Sequence, residues 1–82
     1  MVLLDNVGKI RVRREIYEQA QALEKEATER HDPGAEIGVA EARWDDCRIS
    51  GDRAGSVYWH DVWAYLMEVA CTDRTEIEFI ED

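Results

Sequence analysis

The chain has 82 residues, 45% of them hydrophobic and 35% charged, with 10 Lys+Arg against 19 Asp+Glu and a formal net charge of −9. This composition fits one small globular domain over residues 1–82, too apolar for a disordered tail and too short for two cores. It excludes a membrane span, because no apolar run approaches ~20 residues, and its acidity disfavours direct nucleic-acid binding, because an acidic body repels phosphate.

The apolar residues 1–4 are too few for the ~7–15-residue core of an export signal, and Asp5 follows them, so the expected compartment is cytoplasmic. There Cys47 and Cys71 default to reduced thiols. Residues 1–14 hold Lys9, Arg11, Arg13 and Arg14 against Asp5, a local +3, and the remainder carries −12. The basic cluster has two readings: a contact to a phosphate or lipid headgroup, or a solvated face pairing with Glu15 and Glu18.

The spacing predicts a first helix over residues 10–30. Ile16, Ala20, Leu23 and Ala27 recur at four, three and four, which lines one face, and Tyr17 widens the stripe. His31-Asp32-Pro33-Gly34 ends it, because proline disfavours helix in the residue before it. Asp32 is then the expected cap and Pro33 the first residue of a second helix over 33–49. Ile37, Ala40, Trp44 and Cys47 form its apolar stripe. Ser50-Gly51-Asp52 reads as a tight helix–helix joint, with Gly51 left-handed and Asp52 capping a third helix over 53–71.

That third helix is apolar over more than one stripe. Ala54, Tyr58, Val62, Leu66 and Val69 share one face, and Trp59, Trp63 and Ala70 an adjoining one. At the chain ends, Ile10 and Val12 alternate with basic residues, and Ile77 and Phe79 with acidic ones. Short terminal strands that pair antiparallel through Arg11 and Arg13 against Glu76 and Glu78 are one expectation; extended arms over the helices are the other. The fold class is therefore mostly α, a three-helix bundle with short terminal strands.

Chemistry is sparse. A hairpin folded about Gly51 sets Trp44 opposite Trp59 and brings Cys71 near His31 and Asp32. It separates Cys47 from Cys71 by roughly 21 Å along the helix axis, too far for a disulfide. Cys71, His31 and Asp32 lack the spacing of a metal site and any evident oxyanion hole, so neither a metal centre nor a nucleophile–base pair is expected. His60 and Asp61 are adjacent on a helix and diverge. Glu41 and Asp45 share a helix face, with Asp46 beside them, and read as an acidic face rather than an acid–base or cation site. No phosphate loop or nucleotide fingerprint is present. No catalytic residue, metal or cofactor is expected.

The stretch 35–66 contains Ile37, Ala42, Arg43, the turn Gly51-Asp52, Ala54-Gly55, Trp59 and Asp61-Val62. It resembles a group of small uncharacterised bacterial proteins in which a helix ends in Gly-Asp, an x-Ala-Gly step follows, and a Trp opens the next helix face. The resemblance covers about 40% of the chain and implies a helical hairpin, with no activity attached.

Five of the seven aromatic residues lie on this hairpin. They serve either as core or as anchors for a partner, since Trp and Tyr dominate interface hot spots. The surplus apolar surface of the third helix predicts a non-enzymatic, acidic protein-interaction module. Trp59, Trp63, Tyr17 and Trp44 would contact a protein partner or a second copy in a homodimer. The alternative is a small acidic inhibitor that imitates nucleic acid, with Glu41, Asp45 and Asp46 on its acidic face, and occupies a basic site on its partner.

Overall fold

The computed structural model describes residues 3–4, 9–71 and 76–80. Its elements are β1 (Leu3–Leu4), β2 (Lys9–Arg13), α1 (Arg14–Glu29), α2 (Ala35–Ser50), α3 (Arg53–Cys71) and β3 (Glu76–Ile80). The three helices fall where the apolar stripes place them, and α3 matches its expected limits.

The first helix is shorter than its predicted span, because residues 10–13 are strand. Ile10 and Val12 are β-branched, alternate with charged residues and are both fully buried, which is the period of a strand packed on one face. Arg13 keeps extended dihedrals (φ −69°, ψ 143°), and α1 begins at the next residue. All four residues of the predicted α1 stripe, Ile16, Ala20, Leu23 and Ala27, are buried.

The sheet order is β1-β2-β3. β1 runs antiparallel to β2, with Leu3 opposite Arg11 and Leu4 opposite Ile10. The chain ends do pair through strands, but β2 and β3 are parallel, which corrects the antiparallel expectation. Lys9, Ile10, Arg11, Val12 and Arg13 stand opposite Glu76, Ile77, Glu78, Phe79 and Ile80. The direction follows from the helix count. Arg13, Glu15 and Ile16 line one hollow with Ala54, Val57 and Tyr58, and further along Tyr65 faces Gln21 and Glu24, so α1 and α3 run the same way, and α2 runs against both. An odd number of antiparallel helices returns the chain in its starting direction.

Basic residues still face acidic ones across this pair, with Arg11 Nε 3.8 Å from Glu78 Oε2. Both side chains are half exposed, and such pairs contribute about 0–1 kcal/mol. Fully burying Ile10 and Val12 contributes roughly 1.5–3 kcal/mol each. The apolar face holds the sheet to the helices, and the charges add register.

The core comprises Ile10, Val12, Ile16, Ala20, Leu23, Ala40, Val62, Tyr65 and Leu66. Tyr58 and Val69 of the predicted α3 face pack against it part-buried, whereas Ala54 is exposed. Tyr65, a residue outside that face, is 1% exposed and fills the space between α3 and α1. Its ring meets Tyr17 edge-on at 6.0 Å. Burial first, then Tyr17 and Glu24, push its phenol from 10.0 up to about 12 against a smaller opposing effect of Gln21.

The two joints are built differently. At Gly51 (φ 80°) the Asp52 N–H donates to the Cys47 carbonyl at 2.9 Å and the Gly51 N–H to that of Arg48. This is a Schellman ending, and glycine relieves the left-handed turn of Cβ strain. Asp52 Oδ1 then accepts the Gly55 N–H at 3.0 Å, capping α3 as expected. A Cβ on Gly55 would lie 2.8 Å from Cys47 Sγ and press on the Asp52 carboxylate, so Gly55 lets the two helix ends close.

The Asp32-Pro33 expectation is corrected. α2 starts at Ala35 behind Gly34 (φ 95°), with no side-chain cap from Asp32. Instead the Gly34 N–H donates to Glu36 Oε2 at 2.9 Å. The Asp32 N–H is bonded back to the Ala27 carbonyl just as that of Asp52 is to Cys47, but here the left-handed Gly34 stands between the aspartate and the first residue of α2.

An exposed Gly→Ala change inside a helix ordinarily gains about 1 kcal/mol. Gly55→Ala is expected to lose about 1–2 kcal/mol instead, and the loss should shrink in an Asp52→Ala background, as measured by urea denaturation of the four-protein cycle. A second expectation concerns alkaline pH. A phenol whose folded pKa is raised favours its neutral form in the fold, so the stability is intact below 10 and is lost as pH climbs from about 10 to about 12. Tyr65→Phe should remove this alkaline loss, seen as a flatter plot of Tm against pH.

Candidate functional site

The α2–α3 seam carries an aromatic cluster. Trp44 stands 5.6 Å from Trp63, ring centroid to centroid, at 31°. His60 lies 4.9 Å from Trp44 and 5.9 Å from Trp63. One turn nearer the joint, Trp59 meets Tyr58 edge-on at 5.2 Å, and the Arg43 guanidinium lies 5.7 Å from the Trp59 ring centre. All three tryptophans are half-buried. Trp59 and Trp63 pack against the core, so they are neither wholly core nor free.

The expected Trp44–Trp59 pairing is replaced by Trp44–Trp63. Helical side chains lean toward their own N-terminus. On antiparallel helices Trp44 therefore leans away from the joint and Trp63 toward it, and the two converge from Cα positions about one turn out of step.

Tyr17 is not part of this cluster. Its ring contacts are Tyr65 and, at 5.1 Å, Phe79 of β3. The Arg14 guanidinium covers the other ring of that pair, 4.3 Å from the Phe79 centre. Phe79 and Tyr65 thus complete a second aromatic group beneath the sheet. The alternation of Ile77 and Phe79 was its sequence signal.

The acidic residues flank the seam. Glu41 and Asp45 line a shallow hollow on α2 with Gly38, Ala42, Trp44 and Arg48. Asp45 is ion-paired to Arg48 one turn on. Asp46 is exposed on a different side of the helix, near Cys47. Partial burial first, then the Asp52 and Asp46 carboxylates, raise the Cys47 thiol above its ordinary value. It stays protonated at neutral pH, the opposite of an activated nucleophile.

Among the described residues no group of three or more His, Cys, Asp and Glu is placed to hold a metal. The Cys71 side chain, named with His31 and Asp32, lies outside the described residues. His60 Nδ1 is 3.8 Å from Asp61 Oδ1, beyond hydrogen bonding. No described helix is long and apolar enough to cross a membrane.

His31 has a backbone task. It is exposed and left-handed (φ 57°), and it ends α1 with its N–H donated to the Thr28 carbonyl at 3.1 Å. This is the position glycine favours after a helix.

Set against protein-family models, curated proteins and solved structures, the chain matches none. Its function has to be read from the arrangement itself, which offers an aromatic seam beside carboxylates.

His31→Gly is expected to stabilise the fold by about 0.5–1 kcal/mol, because relief of the left-handed strain exceeds the added freedom of the unfolded chain. Thermal melts check this; destabilisation would mean that the imidazole itself makes a contact worth more than the strain.

Proposed function

We propose that the chain is a non-enzymatic protein-interaction module that presents the Trp44–Trp63–His60 seam, with Trp59 beside it, to a protein partner. The supporting observation is that three tryptophans remain half-buried on one helix pair although the core packs without filling over them. Half-exposed Trp is favoured at interface hot spots because its ring gains area on docking at low entropic cost. Tyr17 is engaged beneath the sheet, so the surface rests on the three tryptophans.

Charge selects the partner. Glu41 and Asp45 border the seam, and the net charge is −9. An apolar patch rimmed by Lys or Arg fits this face better than a second copy with the same acidic rim. The carboxylates also support a second reading, an inhibitor that occupies a nucleic-acid-binding site on a basic protein. In that case affinity would rest on charge and fall steeply with salt.

Trp44 gives the sharpest test, because its ring contacts are Trp63 and His60 rather than the core. Trp44→Ala should keep its helical spectrum and lose at least tenfold in affinity for a partner captured from host lysate and re-purified. Capture that survives high salt in wild type and fails in Trp44→Ala supports the apolar reading. Capture of a nucleic-acid-binding protein at low salt only, indifferent to Trp44→Ala, supports the inhibitor. Binding indifferent to both sinks both readings.

A further inference from the structure

We propose that the outer edge of β3 takes up an extended segment of a partner protein, with alternating basic and apolar residues, as an added strand of the sheet. This surface is separate from the α2–α3 seam and does not rest on the reading above.

Among the described elements, β3 pairs only with β2, and the sheet order leaves its other side open. The opposite edge, β1, has two residues, whereas β3 has five. A five-residue open edge presents a row of backbone donors and acceptors to another chain. The burial pattern agrees. Ile10 and Val12 of the central strand, flanked on both sides, are 0% exposed. Their partners Ile77 and Phe79, flanked on one side, are only part-buried, as is Ile80.

The occupied edge shows what β3 accepts. β2 reads Lys-Ile-Arg-Val-Arg. Its Lys9 and Arg11 stand opposite Glu76 and Glu78, and its Ile10 and Val12 opposite Ile77 and Phe79. Glu76 and Glu78 are exposed, so a strand on the open side meets the same acidic outer face and the same apolar inner face. Basic residues at alternate positions satisfy the first and branched apolar residues the second. A second copy of β3 is a poor occupant, since it would bring like charges together across the ladder.

The test uses the full chain and synthetic peptides. The probe is a labelled peptide carrying the Lys9–Arg13 sequence and one further repeat of its basic–apolar alternation. The expected result is a set of amide NMR shifts centred on Glu76–Ile80, with those of the α2–α3 seam unmoved. Methylating alternate peptide nitrogens should weaken binding at least tenfold, because it removes ladder hydrogen bonds and keeps the charge. A peptide with Glu in place of each Lys and Arg should weaken it as much. Several results would overturn the proposal: no binding at millimolar peptide, binding indifferent to methylation, shifts elsewhere on the chain, displacement of β2 by the peptide, or self-association through β3 in its place.

Discussion

The parallel pairing of β2 with β3 is the interaction on which the remaining structure depends. It joins the two ends of the chain beneath the helices and delivers Ile10 and Val12 to the core. Without it, α1 and α3 would be held chiefly by their mutual contact and by α2, and α2 contributes a single buried residue, Ala40. The pairing also fixes the chirality of burial along the strands. A slip of one residue would turn Ile77 and Phe79 outward and bring Glu76 and Glu78 against the helices, a cost that no surface ion pair offsets.

A core this small has a consequence for the surface. Among the described residues ten hydrophobic ones are buried, and Ala20, Ala27 and Ala40 are three of them, so large side chains at the margin carry much of the packing. Tyr58 with Trp59, Tyr17 with Phe79, and Trp44 with Trp63 and His60 are such marginal groups. Aromatic pairs contribute roughly 0.5–1.5 kcal/mol beyond the area they bury, a sizeable share of the marginal stability of a domain of this size. Exposure of Ile49 (77%) and Val57 (63%) at the same time shows that the chain does not hide every apolar residue it has. The aromatic seam therefore serves the fold on one side and remains accessible on the other.

The helices were legible in the sequence because their stripes are local. Ile16, Ala20, Leu23 and Ala27 announce their face through spacing alone, and Gly51-Asp52 announces a joint through the conformations those residues allow. The sheet was half legible. Alternation marked the strands and charge marked their pairing, but direction depends on how many helices intervene, which is a property of the whole chain. Opposing Trp44 to Trp59 treated residues as points on an axis, whereas the lean of helical side chains shifts each contact by a turn. Tyr65 belongs to the apolar set of the third helix but lies between its two stripes, and only the arrival of α1 alongside α3 decides that it is buried. His31 draws notice in the sequence for its imidazole, whereas the fold uses its left-handed backbone.

Charge is distributed so that attraction and repulsion fall in different places. The basic residues of β2 stand opposite the carboxylates of β3, while the helices carry more acidic than basic residues. Across the α1–α2 contact, partial burial first and then the neighbouring Glu36 raise the Glu24 carboxyl above its ordinary value. Both proposed surfaces set carboxylates next to half-buried apolar rings or branched side chains. On such a surface the carboxylates act at a distance and govern which partner arrives, whereas the apolar groups act at contact and govern how long it stays. A partner drawn by charge alone would leave Trp44 and Phe79 as exposed as before. Removing their remaining surface from water is what makes retention outlast salt, and it is the apolar half of each surface that separates a specific partner from any basic protein.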